Sequence, residues 1–508
     1  QIKNKMSVLK GFTFLFLCAT LTFLCVCGAA SAATIYVPDD YATIQQAVDN
    51  ATAGDTIIVR DGTYYENVDI YKRLTIRSEN GSANCVVHAA NSNDYVFNVS
   101  ANNVTIKGFT VTGATGFGKA GIYLYKSNNC RIENVNASNN YDGIELSSSS
   151  NNTIANNTVS SNDDYGIYLY SSDNNTIANN TASSNTDDGI ELYSSSSNTI
   201  ANNNISSNYY GDGIHLEYSS SNNIMANNTV SDSKYGIHLD HSSNNIMANN
   251  SMTDNTYNFC LYGEQDSHFD NNIDTTNTVD GKPIYYIKNA SNTVYDSSTN
   301  AGVFYCIWCN NVTVKDLTLT KNGYGVFFWK TNNSKIINNT ASNNWWDGIH
   351  LYSSSNNTIA NNNASSNNMY GIYLQWSSNN IIANNTVSNN LCGIILYSFH
   401  YFQYSSSNNI IENNTFHLNG MFVRDSYSNK VTNNTVNGKP LVYLENVNDY
   451  VVEDAGQVIA VNSNNITVEN SNLSHASVGV EFWKTSNSKI INNTASNNEY
   501  GIYLYESS

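Results

Sequence analysis

Charge is scarce in this 508-residue chain. Only 13% of residues are Asp, Glu, Lys or Arg, and 41 acidic groups against 23 basic ones leave a formal charge of −18. Disordered chains usually combine dense charge with few aromatics, whereas this one carries 36 tyrosines among regularly spaced Ile, Leu and Val. There are only 3 prolines, and no arginine occurs from Ile132 to Val423. Nucleic-acid recognition needs clustered Lys and Arg to neutralise phosphates, so DNA and RNA are not expected as partners. An anionic surface could be approached only through bridging cations. What remains is long runs of Asn and Ser between short apolar stretches. That is the composition of a repeat protein whose polar residues sit in turns and on an outer face.

Long hydrophobic runs are missing too, apart from the first residues. There Lys3, Lys5 and Lys10 flank the start of an apolar stretch from Gly11 to Cys27, and Ala30-Ser31-Ala32 has the small-residue form of a cleavage site. Residues 1–32 are therefore expected to be a signal peptide, with the mature chain beginning near Ala33. A retained membrane anchor is the alternative, for which the stretch is somewhat short. Export makes the protein secreted or cell-surface, with membrane attachment only through export itself or a C-terminal anchor not present in this chain. Cys85, Cys130, Cys260, Cys306, Cys309 and Cys392 are scattered without the spacing of a disulfide framework. Cys306-Ile-Trp-Cys309 has C-x-x-C form, but no second pair or nearby histidine makes it a zinc site. Packing thiols, or a bridge between neighbouring coils, are the two readings.

The internal repeat decides the fold. Aligned on the glycine of G-I-x-L, the chain gives Gly121, Gly143, Gly166, Gly189, Gly213 and Gly236, at steps of 22 to 24 residues. A second array gives Gly325, Gly348, Gly371 and Gly393, and a third opens at Gly479 and Gly501. Each unit holds two or three period-2 stretches between Asn/Ser/Gly turns and no helical pattern, which excludes ankyrin, TPR and leucine-rich repeats. In G-I-Y-L-Y, Ile167 and Leu169 fall on one face, Tyr168 and Tyr170 on the other. A single coil cannot bury Ile154, Val159, Ile167 and Leu169, but stacked coils bury them against their equivalents one rung away. The expected fold is all-β, a right-handed parallel β-helix of about 20 rungs and ~100 Å at ~4.8 Å per rung. A short amphipathic helix through Ile44, Ala47, Val48 and Ala51 should cap its N-terminal end. Asn suits the corners, because it tolerates the left-handed conformation and its amide can hydrogen-bond along the axis.

The expected domains are 33–118 for the cap and first coils, 119–262 for a first regular array, 321–430 for a second and 479–508 for the start of a third. Between them, 263–320 and 431–478 carry G-K-P segments at Gly281 and Gly438, read as wider coils with a loop at the turn. Equivalent glycines recur after about 155 residues, a super-repeat whose second copy is clipped. The chain stops in mid-coil after Y-G-I-Y-L-Y-E-S-S, as expected of a piece of a longer protein.

The opening I-Y-V-P-D-D-Y-A-T-I-Q-Q-A-V-D-N, the G-I-x-L and N-N-T coils and the G-K-P insert resemble secreted β-helix proteins of the pectin-lyase-like superfamily. Within it they look most like the NosD-like, CASH-type repeat proteins found on the surfaces of methanogenic archaea. The resemblance covers essentially all of the mature chain. It implies the fold but not one activity, since the group holds lyases, hydrolases, epimerases, adhesins and a copper-site maturation protein.

Stacking turns each repeat position into a column. Two residues after the glycine come Tyr123, Glu145, Tyr168, Glu191, His215 and His238, then Phe327, His350, Tyr373 and Ile395. Four after come Tyr125, Ser147, Tyr170, Tyr193, Glu217 and Asp240, then Trp329, Tyr352, Gln375 and Tyr397. Both positions are expected to face outward. Rows of rings suit the C–H faces of sugars, which makes Tyr123, Tyr168, Tyr170, Tyr193, Trp329, Tyr352 and Tyr373 candidates for carbohydrate binding. Equally, such residues cover a pleated surface and pair along the ladder.

His215 and His238 occupy one position of consecutive coils, with Cβ atoms about 5 Å apart. With Glu217, Asp240 and His241 they are the candidate ligands for a divalent metal, whether copper, zinc or calcium; a solvated polar patch is the plain alternative. Catalysis on a glycan needs two carboxylates at a fixed separation, and the candidates are Glu191, Asp188 and Asp212. Against catalysis, the histidine and basic pair of polygalacturonases, the arginine base of pectate lyases and the D-P-H-E motif of alginate epimerases are missing. N-x-S/T sequons recur, as at Asn156, Asn179, Asn227, Asn338, Asn384 and Asn492, and permit glycosylation in an exported chain. The sequence thus favours a surface protein that binds or displays a polysaccharide or surface glycan, or acts as an envelope spacer, without catalysis. A polysaccharide lyase or hydrolase, and NosD-like copper handling, are the alternatives.

Overall fold

The structure, a computed structural model, describes residues 32–398 and 405–508. Apart from its last residue, the expected signal peptide lies outside them. Each regular coil is three short strands, as in Thr153–Ala155, Thr158–Ser160 and Ile167–Tyr170. Successive coils pair parallel and in register: Ile144 lies beside Ile167, then Ile190, Ile214, Ile237 and Phe259. A column of Leu146, Leu169, Leu192, Leu216 and Leu239 runs next to it, and every one of these side chains is fully buried. Burying an Ile or Leu contributes roughly 1.5–3 kcal/mol, and here each depends on the coil above and below. This is a right-handed parallel β-helix, all-β apart from short helical turns.

The Asn pairs at the corners divide two tasks. The first of each pair, such as Asn156 at φ 57°, takes the left-handed conformation and is exposed. The second, Asn157, is buried; its Nδ2 donates to the Ile132 carbonyl and to Asn180 Oδ1, both at 3.0 Å. Asn180 Oδ1 also accepts from the Asn157 backbone N–H at 3.0 Å. The same ladder continues through Asn203, Asn228, Asn250 and Asn277. It pairs the corner backbone groups that the strands leave over. All six cysteines beyond the signal segment are buried free thiols.

At the N-terminal end the helix Ile44–Asn50 starts at Thr43, whose side chain accepts from the Gln46 N–H, and it buries Ile44, Ala47 and Val48. Ala51 follows as its C-cap.

The G-K-P segments behave differently from simple wider coils. Thr278 and Val279 pair antiparallel with Pro283 and Lys282, around Gly281 at φ +74°. Thr435 and Val436 do the same with Pro440 and Lys439, around Gly438 at φ +82°. Each hairpin reverses the chain, and the strand leaving it (Lys282–Lys288 or Lys439–Glu445) founds a new parallel stack. The open edge of the old stack is plugged by the new one. At the first junction Asn258 N donates to Lys321 O at 2.6 Å and Gly323 N to Phe259 O at 2.9 Å. At the second, Met421 N donates to Gln457 Oε1 at 2.8 Å, Gly420 N to Ser477 Oγ at 2.8 Å, and Val423 N to Glu481 Oε1 at 3.2 Å.

These junctions also change which side chains see solvent. Between the arrays the 3-10 turn Asp266–Phe269 lies over the second array: the Phe269 ring is 4.1 Å from that of Trp329, and Asp266 accepts from Trp329 Nε1 at 2.8 Å. Phe327 and Trp329 are therefore buried, although alternation along the strand points them away from the core, and Glu191, His350 and Ile395 at equivalent positions are buried as well.

Candidate functional site

The largest gathering of ionisable groups forms where three coils carry D-G-I-E-L, D-G-I-H-L and Y-G-I-H-L. Register places Glu191 beside His215 and His215 beside His238. The imidazole rings stack nearly parallel, 4.7 Å apart with 5° between their planes. On a flat strand the residue three before each of these would face the other side. The glycine between them carries the bend that brings it round. A Cβ on Gly189 would lie 2.8 Å from the Gly213 carbonyl and 2.5 Å from Ile205 Cγ2, so only glycine fits.

The bend turns Asp188 and Asp212 toward the imidazoles. His215 Nδ1 lies 2.9 Å from Glu191 Oε2, 3.4 Å from Asp188 Oδ2 and 3.8 Å from Asp212 Oδ2. His238 Nδ1 lies 2.9 Å from the same Asp212 oxygen. Both Nε2 atoms are buried without a hydrogen-bond partner. Burial pushes the Glu191 carboxyl well above its usual range. Burial also opposes the Asp188 charge, but hydrogen bonding to His215 and the charge of that ring outweigh it and hold Asp188 low. For His215 the burial penalty is outweighed chiefly by Glu191, and its pKa rises well above that of free imidazole. Asp212 is raised by burial and then by Asp188.

The cluster opens to solvent in a depression of about 280 Å³ walled by Tyr165, Tyr210, Lys234 and Tyr235. Within it Asp212, His215 and His238 each offer a donor atom, all within 4.8 Å of one another, and so do Asp188, Glu191 and His215. The carboxylates that reach the imidazoles are thus those first considered for catalysis. Glu217 lines the same depression. Asp240 and His241 instead pair with each other, and the His241 ring sits 5.0 Å from that of His268. Sequence alternation selected Glu217 and Asp240 because it cannot register a bend at glycine.

Further up the same face two more carboxyls lack a strong partner. Burial raises Asp142 to about 8, with Glu145 adding to it. Burial likewise raises Glu145 to about 7, against a small opposing pull from Lys119.

The candidate aromatic residues separate into two groups. On the first array Tyr123 stacks on Tyr95 at 4.2 Å. Tyr168 stacks on Tyr165 at 4.8 Å, Tyr170 on Tyr193 at 5.5 Å, and Tyr193 meets Tyr218 at 4.8 Å. Tyr170 and Tyr218 are well exposed. On the second array Trp329 stacks on Tyr352 at 3.9 Å, and Tyr373 contacts His350 at 4.4 Å. Trp329, closed in between Tyr352 and Phe269, offers no free ring face.

Two families match the chain: the right-handed β-helix region over residues 94–251, and the family described as periplasmic copper-binding protein (NosD) over 212–301, 280–451 and 441–508. The NosD matches together span more than half of the chain. A cell surface glycoprotein of Methanothermus fervidus is 35% identical over 134 residues, which cover 26% of this chain and 21% of that protein. This chain thus spans about a fifth of the length of that relative. Among solved structures, the catalytic unit of a GH87 α-1,3-glucanase from Streptomyces thermodiastaticus is similar at 14% identity and a TM-score of 0.39, covering 79% of this chain and 69% of that one. The A-module of a mannuronan C-5 epimerase from Azotobacter vinelandii is similar at 13% identity and a TM-score of 0.28, covering 89% and 93%. Among the described residues no helix is long and apolar enough to cross a membrane.

Proposed function

The chain belongs to the NosD family of right-handed β-helix proteins, and from that premise we propose that it is an extracytoplasmic, cell-surface protein that binds polysaccharide without turning it over. The observation that carries this reading is the run of contacting rings Tyr165–Tyr168–Tyr170–Tyr193–Tyr218 along the first array. Tyr165, Tyr168 and Tyr170 share one rung, while Tyr170, Tyr193 and Tyr218 come from three successive rungs. At ~4.8 Å per rung these last three sit at nearly the repeat of a sugar chain lying along the axis. The similarity to part of a cell surface glycoprotein supports the location.

The carboxylate spacing supports binding over hydrolysis. Glycosidases hold their two carboxyls about 5 Å apart at the least, to span the scissile bond. Here Asp188 and Glu191 converge on one imidazole nitrogen, at 3.4 and 2.9 Å, instead of facing each other across a gap. The test is a glycan array combined with reducing-sugar and unsaturated-uronate assays on one preparation. Binding without product supports the proposal, and release of sugar or uronate overturns it.

A second role is favoured by the shared Asp212. Two imidazole nitrogens and one carboxylate oxygen within 4.8 Å suit copper(II) or zinc, whereas calcium prefers an all-oxygen shell. On this reading Asp212, His215 and His238 hold the metal, and Asp188 and Glu191 balance its charge.

A further inference from the structure

We infer that the cleft where the first array meets the second is a binding site for a single neutral pyranose unit, and that it anchors one residue of the bound chain. The inference rests on the glycan-binding reading but concerns a different place on the molecule.

The cleft, of about 330 Å³, lies between Gly263 and Glu264 at the end of the first array and the outward face of the second. That volume falls at the low end of the ~300–1,000 Å³ usual for small-molecule sites. Tyr352 and Trp376 meet in it edge to face, 4.9 Å apart at 65°, and form an aromatic corner. Glu264 and Gln375 bring hydrogen-bonding groups to the rim.

His350 closes the floor. It is 5% exposed, and its Nδ1 lies 3.1 Å from Asp347 Oδ2 without the alignment of a hydrogen bond. Its Nε2 has no hydrogen-bond partner. Leaving a buried polar nitrogen unpaired costs about 1–3 kcal/mol, which a ligand hydroxyl would relieve. Trp376 sits at a corner of its coil. It takes the left-handed conformation at φ 54°, where other coils place Ser148, Ser171, Ser194 and Ser353 but also Lys126, Tyr218, His241 and Lys330. A bulky aromatic is disfavoured there, yet this corner is what sets the indole against the cleft.

The occupant follows from the lining. An apolar ring face beside several donors and acceptors matches a pyranose, with its C–H face on an aromatic and its hydroxyls on the rim. Among the described residues the cation beside the cleft, Lys330, is already held by Asp266 at 2.6 Å, which leaves little to neutralise a uronate or a phosphate. A wider space of about 570 Å³ adjoins it, sharing Glu264, Trp329, Tyr352 and Trp376 and bordered by Asn332, Ser353 and Ser355. Through it the remaining sugar residues would leave toward solvent.

The experiment is calorimetric titration of the purified chain with glucose, galactose, mannose and N-acetylglucosamine, their β-linked dimers, and a galacturonate dimer. At least one neutral mono- or disaccharide should bind, with affinity reduced roughly tenfold or more by Trp376→Ala and unchanged by Tyr450→Ala, an exposed tyrosine outside both places. Gln375→Ala, a half-exposed substitution that leaves the packing intact, should weaken the same ligand less. The inference is overturned if Trp376→Ala leaves that affinity unchanged, or if the galacturonate dimer binds as tightly as neutral sugars. If long polysaccharides bind but no mono- or disaccharide does, this site falls and the glycan-binding reading stands. If no glycan of any length binds, both fall.

Discussion

His215 and His238 stack on consecutive rungs, with the Nδ1 of His238 2.9 Å and that of His215 3.8 Å from the same oxygen of Asp212. Asp212, His215 and His238 thus offer donor atoms within 4.8 Å of one another. For copper(II) or zinc, His215→Ala with His238→Ala should weaken binding by more than about tenfold. Asp240→Ala with His241→Ala, a pair outside the cluster, should leave binding unchanged. Equal affinity in wild type and the first double variant would remove the metal role.

The corner ladders should be the most fragile polar feature of the rod. Asn180 donates to the Ile154 carbonyl and to Asn203, and it accepts from Asn157. In Asn180→Ala those partners stay buried and unpaired, a loss of roughly 2–5 kcal/mol. The preceding residue, Asn179, is exposed at φ 57°. Asn179→Ala should lose only about 1–2 kcal/mol, for the left-handed conformation, and Asn179→Gly almost nothing. Urea unfolding of the three variants should rank them in that order.

Stability should fall as pH rises from about 4 to 8. Asp142 and Glu145 have folded-state pKa values of about 8 and about 7, above their usual values of 3.8 and 4.5. Groups raised in this way stay protonated in the folded chain while the unfolded chain has released its protons. Their favourable contribution is complete below pH 4 and is lost as pH climbs through 7 and 8. Asp142→Asn should flatten that slope by on the order of a few kcal/mol. A melting temperature that does not change between pH 5 and 8, in both wild type and variant, would contradict it.

Gln457 should hold the second junction together. Its side chain makes hydrogen bonds to both the N–H and the carbonyl of Met421, as a paired strand would, and it is fully buried. Gln457→Ala leaves both groups unpaired, at a loss of roughly 2 kcal/mol or more. Limited proteolysis should then cut residues 437–508 first, with the first array still intact.

The coil itself was legible in the sequence because a glycine every 22 to 24 residues and two-residue alternation are local patterns. The helix around Ile44, Ala47 and Val48 was legible for the same reason. The ionisable centre was only half visible. His215 and His238 stand out because stacking makes a repeat position into a column, but their carboxylate partners depend on a bend that alternation does not encode. Asp188 and Asp212 reach the imidazoles where Glu217 and Asp240 were expected to. The junction cleft carried no signal at all. Glu264 and Trp376 lie in different arrays, and only the reversal at Gly281 brings them together. The burial of Trp329 was hidden for the same reason, since Phe269 and Asp266, which cover it, arrive from another coil system.

The two plugged edges also govern how the rod comes apart. In an uninterrupted solenoid a fraying front started at one end meets the same barrier at every coil and can run the full length. Here such a front must first release Gln457, Ser477 and Glu481 from the last strand of the second array, and then Lys321 and Gly323 from the last strand of the first. Each hairpin therefore acts as a firebreak. Under a pulling force the molecule should yield in a few discrete steps, one per array, instead of unravelling coil by coil.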